Sequence, residues 1–103
     1  MKKCAKVILG SAHWGSAYGV SGANAPLTVE KITAIASRAT FYGANLIDTA
    51  RLYPNSEDRI GKSKLDNFRV ITKTIKFDDN TITKKHADKL KKAFKLSLRK
   101  LGR

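Results

Sequence analysis

The stretch NLIDTARLYPNSEDRIG, residues 45–61, runs from an apolar segment into a polar loop and then into a helix. Ala44 to Thr49 suits a short buried strand, and Asp48 falls at its end. Tyr53 lies in the loop beyond. Asn55 or Ser56 is placed to cap a short helix that ends near Gly61. A carboxylate closing a buried strand, with a tyrosine just after it, marks a place where polar side chains gather at one strand end.

The same order recurs on either side. Upstream, CAKVIL (Cys4–Leu9) is an apolar run stopped by Gly10 and Ser11, and a Gly/Ser/Ala-rich loop follows to Pro26. A loop of that length is usually functional. Thr28 caps a helix in which Ile32, Ile35, Ala36 and Ala39 recur at amphipathic spacing, and Gly43 fits its C-terminal cap. Downstream, FRVIT (Phe68–Thr72) is a β-branched strand, and Asp78-Asp79-Asn80 is a turn. Thr83 caps a long last helix whose apolar side is Ala87, Leu90, Phe94, Leu98 and Leu101.

Strand and helix thus alternate three times, which argues for parallel strands joined by right-handed crossovers. Near-continuous apolar strands imply that both faces of the sheet are covered. An open doubly wound sheet and part of a (β/α) barrel both satisfy this order. A dinucleotide-binding doubly wound sheet needs G-x-G-x-x-G after its first strand. Gly10, Gly15, Gly19 and Gly22 have the wrong spacing, so the barrel is favoured.

Composition narrows the functional classes. The 103 residues make about one small domain, and 42% hydrophobic content is that of a globular protein. The net charge is +13, which raises nucleic acid or an anionic membrane surface as partners. Residues 84–103 hold nine basic residues and one acid, Asp88, and so carry +8 of that total. A basic helix around an apolar stripe is the pattern of a cationic binding or assembly module, and that is the alternative reading of the chain. Phe94 is the one aromatic residue among the basic ones, too few to stack successive bases, so neither specific nucleic-acid binding nor membrane binding is expected. Cys4 is the single cysteine, which excludes an intrachain disulfide and a cysteine-based metal cluster. The apolar run after Lys2 and Lys3 is too short for a signal peptide. A cytoplasmic protein without a metal site is expected.

In a barrel, reacting residues sit at the C-terminal ends of the strands. Asp48, Tyr53 and Lys73 would all reach that rim, since Lys73 directly follows the third strand. An ammonium beside a phenol favours the ionised form, and a carboxylate beside the ammonium keeps it charged and aimed. Such a trio is a proton donor for a carbonyl oxygen. Each residue also has a commonplace role: an aspartate caps a turn, a tyrosine packs, a lysine meets solvent.

The motifs resemble those of the aldo-keto reductases. LIDTARLYPNSEDRIG is similar to that family's Asp-Thr-Ala, then Tyr, then Ser-Glu and a helix ending in Gly. LGSAHWGSAYGVSG resembles the first strand and loop of bacterial members, RVITKT their third strand with its lysine, and KLKKAFKLSLRKLG a helix with an S-L-x-x-L motif. The match runs from Val7 to Gly102. It implies an α/β fold, the first three βα units of a (β/α)8 TIM barrel, so that residues 1–103 form an N-terminal fragment. It also implies an oxidoreductase that transfers hydride from NADPH to a small-molecule aldehyde or ketone. Tyr53 would be the general acid, with Asp48 and Lys73 tuning it. Ser11, Ala12, Trp14 and Asp48 would lie near the nicotinamide.

The resemblance also implies gaps. The family's catalytic histidine follows a fourth strand, and Leu101-Gly102-Arg103 stands where that strand would begin. His13 lies in the loop after the first strand, where relatives often carry glutamine, and His86 is expected to be solvent-exposed. Pro54 stands where the family usually has glycine and would push Tyr53 toward extended conformations. A complete barrel takes roughly 250 residues. The expected consequences are a chain that does not catalyse alone, and self-association through an open sheet edge.

Overall fold

The computed structural model describes residues 7–16 and 26–103. Cys4–Lys6 of the first expected strand, and 17–25 of the loop after it, lie outside the described residues. The elements are β1 (Leu9–Gly10), α1 (Val29–Phe41), β2 (Leu46–Asp48), α2 (Ser56–Lys62), β3 (Arg69–Ile71) and α3 (Lys84–Leu101). All six follow the expected order, with strands shorter than the apolar runs that contain them.

The three strands form one parallel sheet in the order β1-β2-β3, with Leu9 opposite Ile47 and Asp48 opposite both Gly10 and Ile71. Half of a doubly wound sheet would show the same order, so topology alone does not choose between the two architectures. Ile47 is fully buried, and Val70 packs with it into a core that also holds Ile32, Ala36, Ile60, Phe68 and Leu101. Alternation along a strand then turns Leu46, Asp48, Arg69 and Ile71 to the opposite face. That face is not covered: Ile71 is exposed, as is Ile8 beside β1. The expectation that both faces are covered is therefore corrected, because the helices lie on one side and no layer lies on the other among the described residues.

Local signals account for the helix ends. The Thr28 hydroxyl accepts from the Lys31 amide at 3.2 Å, and Gly43 follows α1 with φ of +88°, the left-handed conformation that glycine adopts freely. Asn55 precedes α2 in a left-handed conformation and makes no side-chain cap. Its amide instead reaches the Gly15 carbonyl at 3.5 Å. Helix α2 ends at Lys62, one residue past Gly61, as expected. Gly61 touches α3 so closely that a Cβ there would lie 2.0 Å from the Lys100 carbonyl oxygen.

Helix α3 departs most from expectation. Its buried residues are Ala93, Ser97 and Leu101, a row at four-residue spacing that packs chiefly against α2. Ala87, Leu90 and Phe94 of the expected apolar side are exposed, and Phe94 is 55% accessible. Small residues allow the two helices to approach, and the larger residues have no strand beyond β3 to lie on among the described residues.

Candidate active site

The rim at the C-terminal end of the sheet is built from three neighbouring strand ends. Asp48 is the last residue of the central strand, on the face away from the helices. Ile71 lies opposite it, so Lys73, two residues further on, returns to the same face. The parallel ladder outlasts the strands: the Thr49 amide donates to the Ile71 carbonyl at 2.8 Å and the Arg51 amide to the Lys73 carbonyl at 2.9 Å. Lys73 Nζ thereby sits 3.0 Å from both carboxylate oxygens of Asp48. With side chains 51% and 39% accessible, the pair adds little to stability, on the order of 0–1 kcal/mol. Its effect is on orientation, since a forked contact fixes where the ammonium points.

Tyr53 arrives through two turns, its amide donating to the Ala50 carbonyl at 3.1 Å and its carbonyl accepting from the Ser56 amide at 3.1 Å. Its ring centroid lies 5.4 Å from Lys73 Nζ, within cation–π range. Asp48, Lys73 and Tyr53 are thus brought together as one constellation, with the lysine in the middle.

Beneath the rim lies a buried chain of hydroxyls. Ser11 Oγ is 2.9 Å from the Asp48 carbonyl, Ser56 Oγ is 2.8 Å from Ser11 Oγ, and Thr49 Oγ1 is 2.8 Å from Ser56 Oγ. Ser11 Oγ donates to the Asp48 carbonyl, and Ser56 Oγ is placed to donate to Ser11, at its Oγ or at its carbonyl oxygen 3.0 Å away. The Ser11 amide donates to the Asp48 carbonyl at 3.1 Å. All three side chains are fully buried. This network pins the end of β2, and with it the base of the Asp48 side chain, to the loop after β1 and to the start of α2. That loop passes so close that a Cβ on Gly15 would lie 2.0 Å from the Pro54 carbonyl oxygen.

Of the residues expected near a nicotinamide, Ser11 is buried within this network and Trp14, 5% accessible, is packed in the hydrophobic core. Ala12 is half-buried and Asp48 stands at the rim. His13 is exposed. His86 is not solvated as expected: its side chain is 14% accessible, its Nδ1 accepts from the Thr83 amide at 3.0 Å, and its Nε2 lies 2.8 Å from Asp79 Oδ2. The imidazole thus ties the start of α3 to the loop before it.

Sequence reasoning passed over Glu57. Its carboxylate is buried and accepts from Thr72 Oγ1 at 2.9 Å and Ser97 Oγ at 3.1 Å. It joins α2 to the end of β3 and to α3, one residue before Lys73. An acid in the first turn of a helix is ordinarily explained by the helix dipole, which hides such a role. Among the described residues no group of histidines, cysteines and acids is placed to hold a metal ion.

The family profile of the aldo/keto reductases matches residues 6–103. The chain belongs to the aldo/keto reductase family. Two solved structures from Pseudomonas aeruginosa, both assigned as aldo-keto reductases, share its fold. The first superposes with a TM-score of 0.72 at 23% identity, over 92% of this chain and 38% of its own. The second gives a TM-score of 0.66 at 21% identity, over 92% of this chain and 36% of its own. No curated protein matches the sequence. The chain spans less than two fifths of either solved relative. The three βα units are therefore an arc of a TIM barrel, which settles what strand order left open.

Proposed function

We propose that this aldo/keto reductase chain carries the proton-donating part of an NADPH-dependent reduction of an aldehyde or ketone. The observation that supports this most is the Lys73 ammonium, held 3.0 Å from both Asp48 oxygens and 5.4 Å from the Tyr53 ring. Tyr53 donates its proton to the carbonyl oxygen of the substrate. The positive charge above the ring stabilises the negative charge that the phenol oxygen gains as the proton leaves. Asp48 keeps the ammonium aimed, and the buried hydroxyls hold Asp48 against the pull of solvent.

The cofactor, when bound, supplies hydride to the carbonyl carbon. In this reading Asp48 at the rim and the half-buried Ala12 of the loop after β1 would face the nicotinamide, and Ser11 acts indirectly by holding the Asp48 carbonyl. The activity belongs to the complete barrel, and residues 1–103 alone are inactive in this reading. No helix among the described residues is long and apolar enough to cross a membrane. A cytoplasmic location suits a chain with a single cysteine.

The test is to follow the reading frame past codon 103, express what it encodes, and measure NADPH oxidation with a panel of aldehydes and ketones. The expected result is turnover that falls by about 10²–10⁴-fold in Tyr53→Phe, with cofactor affinity retained. Near-normal turnover by Tyr53→Phe would remove the role assigned to the phenol. Turnover by residues 1–103 alone would show that the rest of the barrel is dispensable.

A further inference from the structure

A cleft of about 590 Å³ lies beside the rim, between the segment that leaves β3 and helix α3. Arg51, from the β2–α2 loop, closes one end. The helix contributes positions 89, 92, 93 and 96, which share one face. The uncovered residues Leu90 and Phe94 do not line it. Its size is that of a small-molecule site.

The lining has two parts. Ile75, Phe77 and Leu96 give an apolar wall, each half-buried. The charged part is unbalanced. Its two acids already have partners, Asp78 with Lys76 at 3.1 Å and Asp79 with His86 at 2.8 Å. The hydrogen bond from His86 chiefly holds the Asp79 carboxyl below the usual carboxylate range. Lys89 also acts on Asp79. Arg51, Lys89 and Lys92 are left as lining cations with no ion-pair partner among the described residues, Lys89 acting on Asp79 and Arg51 and Lys92 on no acid of the cleft. A guanidinium fork and an ammonium that line one cleft suit a phosphate dianion.

We propose that this cleft binds small phosphate monoesters with an aromatic or aliphatic body. The phosphate lies on Arg51 and Lys92, and the body lies against Phe77, Ile75 and Leu96. The site is separate from the reductase constellation, since neither Asp48, Tyr53 nor Lys73 lines it. It therefore stands or falls independently of the reduction proposed above.

The experiment is a calorimetric titration of the full 103-residue chain with phenyl phosphate at constant ionic strength. The expected result is saturable one-to-one binding, about tenfold tighter than that of inorganic phosphate or of benzyl alcohol. Arg51→Ala and Lys92→Gln each weaken it by about tenfold. Lys95→Gln, on the same helix but outside the cleft, leaves it unchanged. The last variant separates a site from the general attraction of a +13 chain. Absence of saturation, equal affinity for inorganic phosphate, or equal weakening by Lys95→Gln and Lys92→Gln would each overturn the proposal. Circular dichroism confirms that the variants keep the native fold.

Discussion

Replacing Gly61 with alanine sets two physical effects against each other. Gly61 is the penultimate residue of α2, so helix propensity alone makes the change favourable by at most about 1 kcal/mol. The tertiary structure opposes it. The new Cβ would lie 2.0 Å from the Lys100 carbonyl oxygen and 3.1 Å from the Leu101 carbonyl carbon. Ordinary contact begins near ~3.5 Å, so the backbone of α3 must withdraw by more than ~1 Å. Both atoms belong to backbone, which cannot rotate away as a side chain can. Withdrawal loosens Ile60 and Leu101, which are both core residues, and stretches the 3.1 Å bond from Ser97 to Glu57. Overpacking costs roughly 1–3 kcal/mol, and loss of a hydrogen bond to a charged group about 1.5–3 kcal/mol. The net effect is destabilisation of about 2 kcal/mol or more, a fall in melting temperature of roughly 10 °C for a chain of this size. Thermal and urea denaturation followed by far-ultraviolet circular dichroism measure it. Gly43→Ala is the control: φ is +88° there and no atom lies within 4 Å of the added Cβ, so only backbone strain applies, about 1 kcal/mol. A Gly61→Ala chain that melts at or above the unmodified temperature would show that α2 and α3 do not make this approach, and the reasoning would fail.

Two further outcomes can be checked on the same chain. The Asp79 carboxyl is held below its ordinary value of 3.8, chiefly by the hydrogen bond from His86. A group whose folded pKa is depressed contributes stability that is present above the unfolded value and lost as pH falls through the folded one. Acid below about pH 4 should therefore weaken the start of α3 in the native chain and not in Asp79→Asn; identical acid transitions for the two would contradict it. Separately, the exposed Phe94 and Ile71, with the open edge of β3, should make the chain self-associate, more strongly as added salt screens its +13 charge. Sedimentation should show a size that rises with concentration and falls in Phe94→Lys, whereas one constant size for both chains would refute it.

The sequence by itself determined the order of elements, most of their ends and the membership of the rim. Apolar runs and amphipathic spacing are local properties, and so are the capping signals at Thr28 and Gly43. Asp48 and Lys73 share a rim because they close neighbouring parallel strands, and Tyr53 follows by its place in the loop. Tertiary structure alone decided which face of α3 is buried, the hydroxyl chain beneath Asp48, the pairing of Glu57 with Thr72 and Ser97, and the cleft beside Arg51. The physical reason is the kind of residue involved. Gly15, Gly61, Ala93 and Ser97 are small and carry little hydropathy signal, yet they set how near two backbones can come. Hydropathy along one helix registers the larger Leu90 and Phe94, but whether those are covered depends on what lies across from them in space.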